Sequence, residues 1–309
     1  MKEIILTNNL AKHYGSFKAV DSISLSVSKG EIYGFLGLNG AGKTTTIQML
    51  LGMIRPTAGE CWLRGVKIAD APHSIWNHVG HIVEIPYSYP DLTVVENLEI
   101  IRRLRFLPDS KVIDNVIEKL KLTEYKNRQA KKLSLGNAQR LGIAKAIIHN
   151  PDILIIDEPA NGLDPAGIVE IRNLLLDLAH NHNVTIFISS HILGEISKFA
   201  TRIGIIHHGK LIQELDARNL KKYRTHKLVI NTKDNNSAQS VLTRHNFNTT
   251  INQDGLIESL DDEAIEFPEK VNQLLVHNAN PPSLLYVDQE DLESYFLRVI
   301  NQNQKGTEL

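Results

Sequence analysis

The fold is decided by one stretch of the sequence, Gly37-Leu38-Asn39-Gly40-Ala41-Gly42-Lys43-Thr44. This stretch matches the pattern G-x-x-x-x-G-K-[ST], and the apolar run from Ile32 to Leu36 precedes it as a buried strand would. The glycines allow the backbone to bend so that successive N–H groups point at a phosphate, and Lys43 places a positive charge beside them. The sequence therefore predicts a strand, a phosphate-binding loop and a helix that begins near Thr44.

From this phosphate loop we expect a nucleotide site, with ATP as the ligand and Mg²⁺ as its metal. The hydroxyl of Thr44 is a hard oxygen ligand of the kind that Mg²⁺ prefers. An ordinary Gly-rich turn is the alternative, but the matching strand and helix on either side argue against it. The predicted nucleotide contacts of the loop are Gly37, Asn39, Gly40, Ala41, Gly42, Lys43, Thr44 and Thr45.

A second candidate for chemistry is an acidic pair, Asp157 and Glu158, which follows the apolar run from Ile153 to Ile156. Successive side chains of a strand face opposite ways. Asp157 can therefore approach Mg²⁺, while Glu158 points to the γ-phosphate and can polarise an attacking water. The alternative is an ordinary acidic pair at a strand end. The phosphate loop upstream favours Asp157 as a metal contact and Glu158 as the catalytic base.

The other strand patterns predict a mostly parallel sheet. The run from Val184 to Ser189 is almost continuously apolar, as is typical of a parallel strand buried on both faces. A helix lies between it and the acidic pair, with Asp164 as a possible cap and Pro165 at its first position. Strand, helix and strand predict a doubly wound α/β core. The alternating residues Ser22 to Val27 predict an additional, half-buried antiparallel strand.

Residues 91–150 have a helical periodicity that no strand pattern interrupts, so we expect an inserted helical subdomain there. Its basic side chains Arg102, Arg103 and Arg105 favour a solvated helix face over a binding patch. The histidines other than His191 lack cysteine or carboxylate companions at metal-ligand spacing and are expected at the surface.

The sequence predicts two domains, residues 1–218 and residues 219–309. Asn, Gln and Asp become common after Lys221, and no nucleotide motif follows. The predicted elements of this second part have the order βαββαβ, with a hairpin that turns at Asp254-Gly255. We therefore expect a small accessory α+β domain whose elements follow the ferredoxin-like order.

The amino-acid composition limits the classes of partner that the chain can bind directly. Lys and Arg number 34 against 35 Asp and Glu, a net charge of 34 − 35 = −1, so no overall field attracts nucleic acid, and we expect no nucleic-acid partner. The single cysteine, Cys61, and the absence of a signal-peptide pattern favour the cytosol. No apolar run approaches the roughly 18 to 20 residues that cross a bilayer. A membrane function would therefore require a second polypeptide.

The order of the motifs resembles the ATP-binding cassette (ABC) family over about residues 1–218. The resemblance is carried by Gly37 to Thr45, Leu133 to Asn137, Ile153 to Glu158, Gly162-Leu163-Asp164 and Ser190-His191. It implies an α/β fold of the P-loop NTPase class. In the ABC form of that fold, a parallel-sheet core carries an antiparallel β subdomain and the inserted helical subdomain.

The family's signature segment reads Leu-Ser-Gly-Gly-Gln, and here the segment Ser134 to Asn137 stands in its place. Ser134 and Gly136 match, whereas Leu135 and Asn137 depart from it. The resemblance implies a head-to-tail dimer in which this segment of one copy touches the γ-phosphate held by Lys43 of the other. By itself, a serine before a helix is more often only a cap.

Three further positions take roles from the same resemblance. His191 matches the switch histidine that contacts the γ-phosphate, and an imidazole can donate a hydrogen bond there. Asp164 corresponds to the D-loop that signals between the two sites, although it is also a helix cap. Tyr14 stands where the family stacks an aromatic ring on adenine, with ordinary packing as the alternative.

One position indicates a subgroup within the family. Glu84 stands where most members have glutamine, and in this it resembles the lantibiotic immunity and bacitracin resistance ATPases. A carboxylate there would give Mg²⁺ a second anionic oxygen, so Glu84 is expected as a metal and catalytic contact. The alternative is that Glu84 lies on the surface and another residue takes that place. The Pro- and Tyr-rich residues that follow, up to Thr93, are expected to receive the coupling helix of a membrane partner.

The sequence and the resemblance together predict the ATP-hydrolysing subunit of a bacterial exporter for antimicrobial peptides, serving resistance or self-immunity. Its expected partners are a second nucleotide-binding subunit, in a homodimer, and integral-membrane permease subunits. It would lie at the cytoplasmic face of the cell membrane and reach the peptide only through the permease. The alternatives are another multidrug or small-molecule exporter and a soluble ATP-driven machine on ribosomes or DNA.

Overall fold

The structure is a computed structural model that describes residues 3–84 and 87–305. The chain divides into two compact units, Met1–Arg218 and Asn219–Leu309. The phosphate loop and all the other residues predicted to act on nucleotide belong to the first unit.

The first unit combines β-strands with α-helices in the described residues. Its strands are β1 (Glu3–Tyr14), β2 (Phe17–Ser28), β3 (Ile32–Leu36), β4 (Ala58–Leu63), β5 (Val66–Lys67), β6 (Val79–Ile82), β7 (Ile153–Ile156), β8 (Thr185–Ser190), β9 (Arg202–His207) and β10 (Lys210–Asp216). Its helices are α1 (Lys43–Leu50), α2 (Val94–Leu104), α3 (Lys111–Lys119), α4 (Leu135–Ile147), α5 (Pro165–His182) and α6 (Leu193–Ile196).

A six-stranded sheet with the order β10-β9-β3-β8-β7-β6 forms the centre of this unit. The strands from β9 to β6 in that order run parallel, and β10 is antiparallel to β9. Every residue of β3, β7 and β8 is buried, which explains their nearly continuous apolar sequences. Parallel strands end at the same edge of a sheet, so the segments after β3, β7 and β8 meet there. The predicted α/β fold of the P-loop class is confirmed.

A second sheet, with the order β2-β1-β4-β5, is antiparallel. In β2 the side chains of Ile23, Leu25 and Val27 are buried, as the alternating pattern predicts. These residues share one hydrophobic core with Phe35 of β3 and Phe187 of β8. The two sheets are therefore joined by a common apolar layer, beside which the phosphate loop lies.

The segment between β6 and β7 contains helices α2, α3 and α4 and no named strand in its described residues. Thr93 caps α2 in a capping box with Glu96, which satisfies backbone N–H groups at the helix start. Arg103 is exposed and pairs with Glu99, as expected of a solvated helix face. Arg102 pairs with the same carboxylate, but its side chain is largely covered and also donates to the carbonyl oxygen of Leu107.

Arg105 does not belong to that solvated face, so the prediction was wrong for this residue. It is the C-cap residue of α2, and its side chain turns toward β6 and donates a hydrogen bond to the carbonyl oxygen of Trp76. Burial lowers the pKa of its guanidinium. Arg105 is therefore partly buried and bonded to the segment that precedes β6.

The second unit has its own sheet, with the order β12-β13-β11-β14 and antiparallel pairing throughout. Helices pack on the face that contains Leu228 and Ile230. Its elements are α7 (Leu220–Tyr223), β11 (His226–Asn231), α8 (Asn235–Arg244), β12 (Thr249–Ile251), β13 (Ile257–Ser259), α9 (Asp262–Glu266), α10 (Pro268–His277), β14 (Leu284–Gln289) and α11 (Leu292–Lys305). Apart from the short α9, the strands and helices from β11 to β14 follow the order βαββαβ.

Candidate functional site

The phosphate loop connects β3 to α1, and two of its glycines are required by the backbone. Gly40 and Gly42 have φ angles of 78° and 108°, which disfavour residues with a Cβ atom. A Cβ atom on Gly42 would also lie 2.5 Å from the carbonyl oxygen of Ala19. Gly42 is the N-cap residue of α1 and has no side chain to cap the helix. The first N–H groups of α1 are therefore available to an anion.

Lys43 is almost completely buried, with 6% of its surface exposed. Its amino group donates hydrogen bonds to the carbonyl oxygens of Gly37, at 2.7 Å, and Leu38, at 3.3 Å. It also lies 3.0 Å from Oε1 of Glu158. The carbonyl oxygens of the loop thus hold the Lys43 amino group in place, and its charge faces the carboxylate of Glu158.

Asp157 is buried, and each oxygen of its carboxylate accepts a hydrogen bond from a hydroxyl group. Thr44 donates to its Oδ2 at 2.6 Å, and Ser189 donates to its Oδ1. The backbone N–H of Asp157 donates to the carbonyl oxygen of Ile82 at 2.8 Å, which ties the end of β7 to the end of β6. The carboxylate is therefore fixed next to the start of α1.

Glu158 has a φ angle of 49°, in the left-handed region, so the chain turns sharply after β7. Its backbone N–H donates to the hydroxyl of Ser189 at 3.0 Å. Its Oε2 lies 2.8 Å from Nδ1 of His191, which follows β8. One carboxylate therefore contacts both Lys43 and His191.

These residues border an open cavity of about 380 Å³ at the C-terminal edge of the sheet. Of the predicted contacts, Ala41 and Gly37 do not line this cavity, although both belong to the loop. The lining residues are Phe17, Ala19, Asn39, Gly40, Gly42, Lys43, Thr44, Thr45, Glu158, Asn161 and His191. The cavity has the amides, hydroxyl groups and cation that bind a polyphosphate.

The aromatic residue that lines the cavity is Phe17, and Tyr14 does not line it. The two residues are paired across the hairpin between β1 and β2, and both are exposed, Phe17 by 63% and Tyr14 by 52%. The ammonium group of Lys12 lies over the Tyr14 ring, 5.1 Å from its centre. Phe17 was missed from the sequence because it lies outside every motif.

The donor atoms fit a magnesium ion. Thr44 and Asp157 place one hydroxyl and one carboxylate oxygen 2.6 Å apart beside the phosphate loop. Mg²⁺ usually takes one or two carboxylates and completes its shell with water and substrate phosphates. In the described part of the chain no three His, Cys, Asp or Glu side chains are grouped as metal ligands. Thr44 and Asp157 are therefore the residues that would hold a magnesium ion at this site.

The signature segment lies at the start of α4, outside the cavity that its own chain forms. Ser134 caps α4 by accepting a hydrogen bond from the backbone N–H of Asn137 at 3.3 Å. Leu135 is 53% exposed, and its Cδ2 would lie 2.9 Å from a Cβ atom on Gly162. The segment is therefore in contact with the loop that contains Asp164 rather than with Lys43 of the same chain.

Asp164 caps α5 through a 2.9 Å hydrogen bond from the backbone N–H of Gly167. Glu84 follows β6 with a φ angle of 59°, is exposed, and is not a lining residue of the cavity. The next residues of the predicted contact loop, Ile85 and Pro86, lie outside the described residues. Neither the D-loop aspartate nor Glu84 is thus brought into the cavity within this chain.

Ser189 is a further residue that sequence reasoning missed, as are the cavity-lining residues Ala19 and Asn161. Its side chain is buried and contacts both Asp157 and the backbone of Glu158. The signal was a polar residue at the end of an otherwise apolar strand, where a hydroxyl needs a partner when buried. The partner could not be identified before the register of β7 and β8 was known.

Comparison with known proteins identifies the family of this chain. The family model described as ABC transporter matches residues 20–161. The bacitracin transport ATP-binding protein BcrA of Bacillus licheniformis is 42% identical over 308 residues, which cover 99% of this chain and 100% of that protein. The lantibiotic transport ATP-binding protein SrtF of Streptococcus pyogenes is 36% identical, and the match covers 67% of this chain and 88% of SrtF.

A solved structure gives the same result for the fold. The dimeric structure of MJ0796, a bacterial ABC transporter cassette, matches with a TM-score of 0.63 and 26% identity, covering 70% of this chain and 99% of that one. Cassettes of this family bind nucleotide, form dimers and work with membrane permease subunits. Among the described residues of this chain, no helix has the length and apolar character to span a bilayer. Since a 42% identical relative is matched along its whole length, the chain belongs to the ATP-binding cassette transporter family, as an ATP-hydrolysing transporter subunit.

Proposed function

We propose that this chain powers the export of an antimicrobial peptide of the bacitracin class. The observation that carries the proposal is the extent of the match to the bacitracin transport protein, which includes the second unit as well as the cassette. The match to the lantibiotic transport protein covers only 67% of this chain. The solved cassette MJ0796 likewise matches only 70% of this chain. A match that continues through the second unit therefore favours the bacitracin class over the lantibiotic class.

At the site, Lys43 and the amides at the start of α1 bind the β- and γ-phosphates. Thr44 and Asp157 are the residues that would hold Mg²⁺, which neutralises phosphate charge when bound. Glu158 orients and polarises the attacking water, and His191 donates a hydrogen bond to the γ-phosphate. The 2.8 Å contact between His191 and Glu158 supports these roles, because it places both groups at one end of the cavity.

A second copy completes each site. Ser134 caps α4, and the other residues of the signature segment form the first turn of that helix, outside the cavity of their own chain. The N-terminus of such a helix can receive a phosphate. In a head-to-tail homodimer this helix end would face the γ-phosphate bound by the partner. Asp164, in the loop that contacts Leu135, would then lie between the two sites.

The chain is proposed to act at the cytoplasmic face of the cell membrane, through an integral-membrane permease that binds the peptide. Tyr87 and Tyr89, which follow Glu84, are exposed and contact each other edge to face at 5.8 Å. Such aromatic pairs supply rigid contact area at low entropic cost. They support a docking surface for the permease next to β6.

The experiment is to express the chain together with the membrane protein encoded beside it in a peptide-sensitive bacterium. The minimal inhibitory concentrations of bacitracin, of a lantibiotic and of an unrelated small drug are then compared with those of cells carrying Glu158→Gln. We expect protection against bacitracin that the variant abolishes. Protection against the small drug alone, or equal protection by Glu158→Gln, would contradict the proposal, and protection against the lantibiotic alone would reassign the peptide class.

A further inference from the structure

The last strand of the second unit, β14, has one edge that pairs with no other strand within residues 3–84 and 87–305. In the sheet order β12-β13-β11-β14 it is a terminal strand, and it pairs with β11. The opposite terminal strand, β12, is three residues long, whereas β14 has six. The outer edge of β14 therefore offers a row of backbone N–H and C=O groups to another strand.

The sequence of β14 lacks the features by which proteins protect a free edge. The strand reads Leu284-Leu285-Tyr286-Val287-Asp288-Gln289 and contains no lysine, proline or glycine. Three apolar side chains are exposed on it instead: Leu284 by 43%, Tyr286 by 44% and Val287 by 37%. Such an edge would pair indiscriminately if nothing covered it, so we expect a partner strand.

We propose that β14 pairs with β14 of a second copy of the chain, as antiparallel strands related by a two-fold axis. A second copy is the occupant that the family supplies, because cassettes of this family form dimers. Identical surfaces that meet across a two-fold axis form a closed contact, which leaves no free edge on either strand. The inference rests on the homodimer of the proposed function for its choice of partner, and it adds a contact that lies within the second unit.

The hydrogen bonds to β11 determine which residues of β14 can bond to a second copy. The backbone N–H of Glu290 donates to the carbonyl oxygen of Thr225 at 2.9 Å, and residues along an antiparallel strand alternate between bonding to one neighbour and to the other. Tyr286 therefore directs its backbone groups to β11, whereas Leu285 and Val287 direct theirs to the free edge. A two-fold pairing must join outward residues to outward residues, so its axis passes through a residue and not between two residues.

Tyr286 is the position of the axis that best fits the side chains. With the axis there, the two tyrosine rings face each other, and Leu285 of each copy lies opposite Val287 of the other. An axis at Val287 would place Tyr286 opposite the carboxylate of Asp288. An axis at Leu285 would pair Val287 with Ser283, which lies outside the strand.

The charges near β14 favour the antiparallel arrangement. Asp288 and Glu290 lie at the C-terminal end of the strand, whereas residues 280–284 carry no charge. Antiparallel pairing sets the acidic end of each copy beside the neutral end of the other, and parallel pairing would set like charges side by side. Lys227, at 3.7 Å from Asp288, and Arg298, at 2.8 Å from Glu290, reduce the remaining negative charge.

This contact contains no residue of the nucleotide cavity, so ATP is not required to form it. Two copies joined through β14 would therefore stay associated after hydrolysis has emptied their sites. The next closure of the two cassettes would then be an intramolecular event, which proceeds at a high effective concentration.

The first test traps the predicted register with a disulfide in the full chain without nucleotide. Tyr286→Cys places two cysteines opposite each other across the axis, at the Cα separation of about 4.5 Å of a non-hydrogen-bonded pair, where a disulfide can close. The native cysteine, Cys61, is buried and can be kept. Thr250→Cys is the matched control, because Thr250 is exposed on the same face of the sheet but on the opposite edge strand.

We expect Tyr286→Cys to form about tenfold more covalent dimer than Thr250→Cys under mild oxidation. An equal mixture of Leu284→Cys and Asp288→Cys should also cross-link, because these positions lie opposite each other when the axis passes through Tyr286. Neither of these two variants should cross-link alone.

The second test reverses charge on the axis and measures association by sedimentation without nucleotide. Tyr286→Lys and Tyr286→Glu each place like charges opposite each other and should each raise the Kd of the dimer about tenfold. An equal mixture of the two should associate again, and Tyr286→Phe should associate like the wild type. ATP affinity of each variant is measured first, to establish that its cassette is folded.

Equal cross-linking of Tyr286→Cys and Thr250→Cys, or undiminished association of Tyr286→Lys, would overturn the β14 pairing. The cassette contact is tested separately by adding ATP to the double variant Glu158→Gln, Tyr286→Lys, which should dimerise through the cassettes alone. If this double variant stays monomeric with ATP while Tyr286→Cys cross-links, the proposed head-to-tail homodimer fails and the β14 pairing stands.

Discussion

The amino group of Lys43 lies 3.0 Å from Oε1 of Glu158, so the cation of the phosphate loop and the proposed catalytic carboxylate form an ion pair. The other oxygen of Glu158 contacts His191 at 2.8 Å. Lys43 and His191, which we propose to contact the γ-phosphate, are therefore both bound to Glu158, the proposed catalytic base. Nucleotide binding must redistribute these contacts, because Lys43 and His191 cannot hold the phosphate and the carboxylate in the same way.

The first prediction concerns that carboxylate. Glu158→Gln removes the proposed base and weakens the ion pair with Lys43, so hydrolysis should fall by about 10²-fold or more while ATP binding is kept or becomes tighter. Steady-state phosphate release and nucleotide titration measure the two effects. Glu118→Gln, at an exposed position of α3, is the control. Unchanged turnover in Glu158→Gln would exclude Glu158 as the base.

The second prediction decides which aromatic residue contacts adenine. Phe17 lines the cavity whereas Tyr14 does not, so Phe17→Ala should weaken ATP binding more than Tyr14→Ala does. Loss of one base–aromatic stack corresponds to about 1 kcal/mol or more, roughly a fivefold rise in Kd. Inorganic triphosphate, which lacks a base, should bind both variants equally well. A larger effect of Tyr14→Ala would return the adenine contact to Tyr14.

The third prediction concerns sharing of each site between two chains. Lys43→Ala and Ser134→Arg should each abolish hydrolysis when tested alone. In a mixed dimer, one site combines the intact Lys43 of one variant with the intact Ser134 of the other. Mixing equal amounts should therefore restore up to about one quarter of the wild-type rate if chains pair at random and the sites work independently. No recovery, from mixtures shown to exchange subunits, would argue against head-to-tail sharing.

The fourth prediction is a loss of stability in weak acid caused by His149. Burial, and to a smaller extent the charge of Arg105, lowers the pKa of this imidazole to about 4, and its Nε2 lies 3.1 Å from the carbonyl oxygen of Val79. Because the unfolded chain protonates this group near its ordinary pKa, the stabilisation is complete above about pH 6.5 and is lost as the pH falls toward 4. The histidine was expected at the surface, and that prediction was wrong.

His149→Gln should flatten this pH dependence by an amount on the order of 2 kcal/mol in the free energy of unfolding. Urea denaturation at pH 7 and at pH 5 measures the difference, and His180→Gln, at an exposed position, is the control. If the wild type and His149→Gln lose equal stability between these pH values, another group is responsible.

The sequence predicts those parts of the structure that depend on neighbouring residues. The phosphate loop is recognisable because its glycines, lysine and threonine are consecutive, and α5 because Asp164 and Pro165 directly precede its apolar positions. The buried parallel strands are recognisable from their apolar runs. Together these signals are sufficient for the α/β fold of the first unit, which the structure confirms.

The parts that escaped prediction depend on packing between distant segments. Ser189 contacts Asp157 across 32 positions of the sequence, and Lys145 contacts the carbonyl of Tyr87 across 58. Arg105 could be recognised as different from Arg102 only after α2 was placed against β6. Glu84 is a related case. The glutamate indicated the subgroup of the family, but its position relative to the proposed metal ligands could not be derived from the sequence.

The hydroxyl of Ser189 has one further consequence. Because it donates to Asp157 and accepts from the backbone of Glu158, it joins the ends of two neighbouring strands in a single hydrogen-bonded unit. The carboxylate of Asp157 and the backbone of Glu158 are therefore held by the same hydroxyl group, whereas the carboxylate of Glu158 is not held by it. We therefore expect nucleotide binding to move the side chain of Glu158 while the ends of β7 and β8 stay joined.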